Sequence, residues 1–277
     1  MDKAHQIKLK PTKSQEALLI KSCGVARFAY NWALNKWQED YKNGYNNTAY
    51  SLIKHLNSIK KEQFPWMQET SKTCSQYAIH NLYDAYKKMW KEKSKYPKFK
   101  KKGIRDSFVA IENNAAWNNY GNKIHIPCIG KIKACEELRF EGKVNNVVVK
   151  RIADMWFAVI NIEVIPIETT VVNENQVTIG VDMGIKSMLI LSDGTVYDNP
   201  KALRSNLKSL KRLQRSLSRK AKGSNNRKKQ RKKIARKHYR ISSIRKNAIH
   251  QAKTEIVKKY DKNMIETLKP KNMVKKH

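Results

Sequence analysis

Two carboxylates in this 277-residue chain are placed where they could do chemistry together. Asp182 closes the nearly continuous apolar run Val177-Thr178-Ile179-Gly180-Val181, the pattern of a strand buried on both faces. Glu266 closes the short run Asn263-Met264-Ile265, which follows a long helical stretch. A chain that leaves a sheet, forms helices and returns to the same sheet adds a parallel and often adjacent strand. Neighbouring strands lie about 4.8 Å apart. Carboxylates at matching ends would then repel unless a cation sat between them. Mg2+ would fill that place, and paired Mg2+ ions hydrolyse phosphodiesters. Such a site calls for about three carboxylates, and Thr267 to His277 contain no Asp or Glu. The plainer reading of Asp182 is a turn residue, because a strand-end Asp followed by Gly commonly serves that purpose.

The second chemical feature is a block of cations. Residues 201–240 hold eighteen Lys or Arg and no acidic residue. A solvated helical face normally mixes signs through Glu–Lys pairs three or four residues apart, and here none is possible. Phosphate contact is the reading that fits. The candidate binding residues are Arg204, Lys208, Lys211, Arg212, Arg215, Arg219, Lys220, Arg227, Lys228, Lys229, Arg231, Lys232, Lys233, Arg236, Lys237 and Arg240, together with Lys98 and Lys100 further upstream.

The elements that must position these residues change in texture along the chain. His5 to Lys10 alternates as a short strand and stops at Pro11. Thr12 and Gln15 have the spacing of a capping box. From there to Lys93 the pattern is helical, with Leu18, Leu19, Cys23, Ala26, Tyr30 and Leu34 on one face. Ile79, Leu82, Tyr86, Met89 and Trp90 form the face of a later helix, and Phe64-Pro65-Trp66 marks a break between the two. Short β runs follow at 108–111, 123–127, 147–149 and 156–162, which predicts a small barrel that the strand at 5–10 could join. A second β unit begins near Gln176, with strands at 177–182 and 187–192 and an Asp193-Gly194 hairpin turn. Two helices come next. The first carries Leu203, Leu207, Leu210, Leu213 and Leu217 as one stripe, and residues 223–226 break it from the second, which runs to about Tyr260.

Composition narrows the class. There are 58 Lys+Arg against 23 Asp+Glu, a formal net charge of +35. With 40% hydrophobic residues, 12 Tyr and 6 Trp, the chain is too apolar for a disordered basic tail. A folded surface this basic needs an anionic partner, and nucleic acid fits best. An anionic membrane surface is the competing partner, but no apolar run nears the ~20 residues needed to span a bilayer. The first six residues lack a signal-peptide core, and the expected location is cytoplasmic (bacterial, nucleoid-associated). The four cysteines, at 23, 74, 128 and 135, form no CxxC pair, so reduced and mostly buried thiols are expected rather than a zinc site.

Several segments, in order, resemble the TnpB family of bacterial insertion sequences, relatives of compact type V CRISPR effectors. Leu9-Lys10-Pro11-Thr12-Lys13-Ser14-Gln15 resembles the family's opening strand and helix cap, and Arg27 to Leu34 (Arg-Phe-Ala-Tyr-Asn-Trp-Ala-Leu) its first helical signature. Pro97-Lys98-Phe99-Lys100 and Ser107-Phe108 resemble the entry to its barrel, and Ile126 to Ile132 and Trp156-Phe157 its barrel strands. Gly180-Val181-Asp182-Met183-Gly184-Ile185 is similar to the first RuvC motif, with a catalytic Asp. Leu213 to Lys220 resembles the arginine-rich helix between the RuvC motifs. Ile265 to Met273 is similar to the second RuvC motif, with the catalytic Glu.

The resemblance implies an α+β multidomain fold. A wedge β-barrel (1–10 and 94–172) is interrupted by a helical recognition lobe with a helix-turn-helix-like start (11–93). An incomplete RNase H-like (RuvC) α/β domain (173–277) follows, with an inserted basic helical hairpin at 201–260. It also implies guide RNA, duplex target DNA and the RNA–DNA heteroduplex as partners, no membrane, and Mg2+-dependent DNA cleavage with Asp182 and Glu266 as catalytic metal ligands. The heteroduplex would be held through its backbone. Two departures stand out. Thr267 replaces the usual acidic neighbour of the Glu, and the family's zinc module and third carboxylate-bearing RuvC motif do not occur before His277. The reading therefore expects a C-terminally truncated member. Its alternatives are a nuclease-impaired RNA-guided DNA-binding protein and a guide-free DNA-binding regulator.

Overall fold

The computed structural model describes residues 2–111, 122–164, 177–184 and 186–266. They fold as two compact units, Met1–Ile167 and Glu168–His277. Ile185, Thr267 and the rest of the second RuvC-like motif lie outside the described residues.

The first unit opens with β1 (Asp2–Lys10) and then a long helix, α1 (Lys13–Lys42). The chain turns at Pro11 because proline supplies no N–H for a further ladder bond. Thr12 then caps α1 as expected. Its side chain accepts from the backbone N–H of Gln15 at 3.3 Å, and the Gln15 side chain accepts from the Thr12 N–H at 3.1 Å. Helix α2 (Ala49–Gln63), a 3-10 turn (Pro65–Glu69) and α3 (Lys72–Glu92) follow, so the break at Phe64-Pro65-Trp66 stands where the sequence placed it. Leu19, Cys23, Ala26, Tyr30 and Leu34 are buried, as are Ile79, Leu82 and Tyr86. Trp90 departs from the expected core face and is 57% exposed.

Among the described residues five more strands belong to this unit: β2 (Ser107–Ala110), β3 (Lys123–Ile126), β4 (Gly130–Ala134), β5 (Lys143–Ile152) and β6 (Met155–Glu163). All pairings among them are antiparallel, in the order β2-β5-β6-β1-β4-β3. The N-terminal strand joins the centre of the sheet, pairing along its length with β6 from Asp2↔Glu163 to Leu9↔Trp156. The expected barrel is seen in part. Among the described residues the sheet is a curled half-barrel, and β2 and β3 are left as unpaired edges. Helices and sheet share one core, in which Leu19 and Leu34 belong to the same cluster as Ile132, Val147 and Ile162.

Among the described residues the second unit is a four-stranded sheet with a helical hairpin. Its strands β7 (Thr178–Asp182), β8 (Ser187–Leu191), β9 (Val196–Asp198) and β10 (Lys262–Ile265) lie in the order β10-β7-β8-β9. The first three form an antiparallel meander, turned at Asp193-Gly194 with Gly194 at φ +84°. Between β9 and β10 run α4 (Ala202–Ser218) and α5 (Asn225–Lys259). Ile179, Val181 and Leu191 pack under Ile256 and Tyr260 from the end of α5. Ala202, Leu210 and Ile241 join the two helices. The expected leucine stripe is not uniformly buried: Leu210 is buried, but Leu203 and Leu207 are 42% and 38% exposed.

Candidate metal centre and nucleic-acid interface

Burial alternates along β7. Ile179 and Val181 face the core, and Asp182, at the strand's end, is exposed. Gly180 lies against Ser192: its N–H donates to the Ser192 hydroxyl at 3.1 Å, and its carbonyl accepts from the Ser192 N–H at 2.9 Å. β10 runs parallel to β7 in direct contact, with Asn263↔Ile179, Met264↔Gly180 and Ile265↔Val181 in register. One further residue on each strand brings Glu266 and Asp182 to the same edge. Both are exposed. The two carboxylates thus stand at the ends of adjacent parallel strands.

Residues the sequence reasoning passed over hold that register. At the start of the strand pair, Asp261 Oδ2 accepts from the Val177 N–H at 3.1 Å, and the Asp261 N–H donates to the Val177 carbonyl at 3.0 Å. At the end of α5, Tyr260 donates its hydroxyl to Asp193, and the Lys259 ammonium lies 3.1 Å from the same carboxylate. The Thr195 N–H also donates to Asp193, at 2.9 Å. These bonds, the Tyr260 hydroxyl foremost, hold the Asp193 carboxyl well below the ordinary carboxylate range. Asp193 was legible as a turn residue; its bonds to residues 66 and 67 positions away were not, since no local pattern announces them.

An all-carboxylate donor pair suits a hard cation such as Mg2+, which prefers oxygen ligands and keeps several waters. Among the described residues no group of three or more His, Cys, Asp or Glu could hold a metal ion together. The carboxylate pair at this edge is therefore the arrangement on which a metal reading rests.

The cationic candidates sort by what their side chains already do. On α4, Arg204, Lys208, Lys211, Arg212, Arg215 and Arg219 are exposed. Lys208, Lys211, Arg212 and Arg215 line a shallow cleft of about 570 Å³, and Arg212, Arg215, Arg219 and Lys220 line a second of about 440 Å³. On α5, Lys228, Lys229, Arg231, Lys232, Lys233, Arg236 and Arg240 are exposed, while Arg227 and Lys237, and Lys220 in the turn before the helix, are half-buried. Arg227 turns back on the hairpin. Its Nη1 donates to the Leu217 and Lys220 carbonyls, both at 2.7 Å, and so caps the C-terminus of α4. Gln230 assists from a buried position, with Nε2 donating to the Leu213 carbonyl at 3.0 Å.

In the first unit Lys98 is exposed. Lys100 is also exposed, and its ammonium sits 3.8 Å over the Tyr30 ring. The packing around that ammonium lowers its pKa to about 8. Asn31 holds the segment in place: Nδ2 donates to the Lys100 carbonyl at 3.0 Å, and Oδ1 accepts from the Lys100 N–H at 2.8 Å. Of the four cysteines, Cys23 and Cys74 are buried as expected, and Cys128 and Cys135 are exposed, contrary to expectation. Among the described residues no helix is long and apolar enough to cross a membrane.

Comparison with known proteins places this geometry in a family. Residues 159–277 match the OrfB_IS605 family, described as "Probable transposase", and residues 1–45 match its helix-turn-helix domain. The chain is 31% identical to "Putative RNA-guided DNA endonuclease InsQ" of Escherichia coli strain K12, over 98% of this chain and 67% of that protein. It is 30% identical to a "Putative RNA-guided DNA endonuclease" of Streptomyces pristinaespiralis, over 99% of this chain and 68% of the relative. Among solved structures it is similar to a chain of a CRISPR-Cas12f ternary complex, with a TM-score of 0.38 and 15% identity, over 95% of this chain and 64% of that one. The chain thus spans about two thirds of the length of these relatives. With whole-chain similarity to curated members joined to matched family segments at both ends, the chain belongs to the TnpB (OrfB) family.

Proposed function

We propose that this transposon-encoded protein binds a guide RNA together with the DNA that pairs with it, and that Asp182 and Glu266 hold Mg2+ for cleavage of that DNA. The observation that carries the cleavage part is the parallel register of β7 and β10, which sets both carboxylates at one sheet edge. In this reading the second unit is a RuvC-like, RNase H-related domain (173–277), and the first comprises a wedge β-barrel (1–10 and 94–172) around a helical recognition lobe (11–93). The curated relatives, named as RNA-guided DNA endonucleases, support it.

Bound Mg2+ would supply Lewis-acid stabilisation of a phosphodiester. The protein's own residues do the rest. Asp182 and Glu266 present oxygen donors from a rigid sheet edge, whose alignment Asp261 maintains at the other end of the strand pair. The exposed cations of α4 and α5 neutralise phosphates, a contact that holds a duplex or heteroduplex by its backbone without reading sequence.

The test is a co-purification followed by a cleavage assay. The chain is purified with co-expressed guide RNA and given matched target DNA and Mg2+, beside Asp182→Ala. The expected result is RNA in both preparations and cutting in the parent alone. Absence of RNA from both would sink the guided reading. Guided binding with equal, background-level cutting in both would leave an RNA-guided DNA-binding protein without nuclease activity.

A further inference from the structure

A stack of aromatic rings in the first unit ends in water. Trp37 of α1 lies 4.5 Å from Tyr86 of α3 with the rings 20° apart, and Tyr86 lies 5.7 Å from Trp90 at 26°. Trp37 and Tyr86 are buried, whereas Trp90 keeps more than half its surface exposed. Tyr96 meets Tyr86 edge-on at 5.6 Å, and the two hydroxyls share a 2.8 Å hydrogen bond. Tyr96 is itself 49% exposed. The double clamp of Asn31 on Lys100 pins the chain that follows, so Tyr96 is presented by a tethered segment.

The charge around these rings is one-sided. From Lys87 to Arg105 there are ten Lys or Arg and one acidic residue, Glu92. An indole and a phenol held in place at the surface amid uncompensated cations suit a partner that offers a flat π face and a negative charge in the same repeating unit. A nucleotide does so: its base stacks on aromatic faces, and its phosphate pairs with lysine. In a duplex the base faces are already stacked on one another, so the matching partner is an unpaired stretch.

We propose that Trp90 and Tyr96 form a stacking platform for unpaired bases of a nucleic-acid strand, with its phosphates held by the lysines around them. This rests on the nucleic-acid reading above and deepens it, because it gives the first unit a base-dependent contact. Helix α4 has no aromatic residue on which a base could stack.

The experiment uses the full chain and two labelled probes at one salt concentration, an oligothymidylate and an abasic strand of equal length. The parent binds the oligothymidylate about tenfold more tightly than the abasic strand, the scale expected of one or two stacked bases. Trp90→Leu keeps an apolar side chain but removes the face; it erases most of that difference and leaves abasic binding unchanged. Trp90→Phe retains most of the difference. The proposal is overturned if Trp90→Leu, with an unchanged circular-dichroism spectrum, preserves the preference, or if it weakens both probes equally. Should Trp90→Leu not fold, fluorescence decides: oligothymidylate quenches tryptophan emission in the parent and markedly less in Trp90→Phe, and equal quenching overturns the platform. A parent that binds neither strand would remove the underlying nucleic-acid reading, which is a separate result.

Discussion

Asp182 and Glu266 each stand one residue beyond the last paired positions of two adjacent parallel strands, Val181 and Ile265. Two like charges so placed disfavour each other unless a cation intervenes. Mg2+ is therefore expected to raise the melting temperature of the parent by a few degrees at saturation, on the order of 2–4 °C. Glu266→Gln should abolish that rise and, in chelator, melt no lower than the parent. A Mg2+-induced shift in Glu266→Gln equal to the parent's would show that the metal binds elsewhere.

The basic residues of α4 and α5 divide into two classes with different consequences. Replacing exposed Arg212 or Arg215 by Gln should weaken nucleic-acid binding across sequences and reduce the slope of log affinity against log salt by about 1 each, with no change in stability. Arg227→Gln should do the opposite. It removes two charge-assisted hydrogen bonds from the α4 terminus and should lower stability by about 2 kcal/mol while changing the salt slope little. Denaturant melts and salt titrations of the two variants separate these outcomes.

Lys100 introduces a pH dependence. Burial lowers its pKa to about 8, because desolvation disfavours the charged ammonium. In the unfolded chain it would titrate near the ordinary lysine value, about 10.4. Between those two pH values the unfolded state holds a proton that the folded state has released, so stability rises with pH across about 8 to 10. Binding moves the other way, because a phosphate contact at Lys100 is lost as the amine becomes neutral. Affinity measured from pH 7 to pH 9 should fall in the parent and stay flatter in Lys100→Arg, whose guanidinium remains charged throughout. An identical profile in both would refute a contact at Lys100.

Thiol reactivity should follow burial. Burial pushes the Cys23 and Cys74 thiols up to about 12, while Cys128 and Cys135 are exposed. Alkylation of the folded chain near pH 8 should label Cys128 and Cys135 quickly and Cys23 and Cys74 only under denaturant, as peptide mapping would show. Fast labelling of Cys74 would indicate local opening at the N-terminal end of α3.

Much of this protein is legible in its residues because the signals are local. The Thr12–Gln15 capping box, the proline break after Phe64, the apolar period of α1 and the Asp193-Gly194 turn each depend on neighbours a few positions away, and each appears where its pattern places it. The pairing of β7 with β10 was also within reach, since a helical excursion between strands constrains their direction. Three features needed the tertiary structure. Whether the six-stranded sheet closes depends on strand curvature and edge pairing, which alternation along single strands does not encode; among the described residues β2 and β3 remain edges. The division of cations into exposed and hairpin-capping members depends on where two helices cross, and only that places Arg227 on the α4 carbonyls. Trp90 has the helical spacing of a core residue, yet the core ends at Tyr86 and leaves its indole in water. Residue types and spacing determined the carboxylate pair and the basic hairpin of this TnpB-family chain. The fold decided which side chains stand free to use them, because burial and long-range hydrogen bonds are properties of the packed chain rather than of any segment in it.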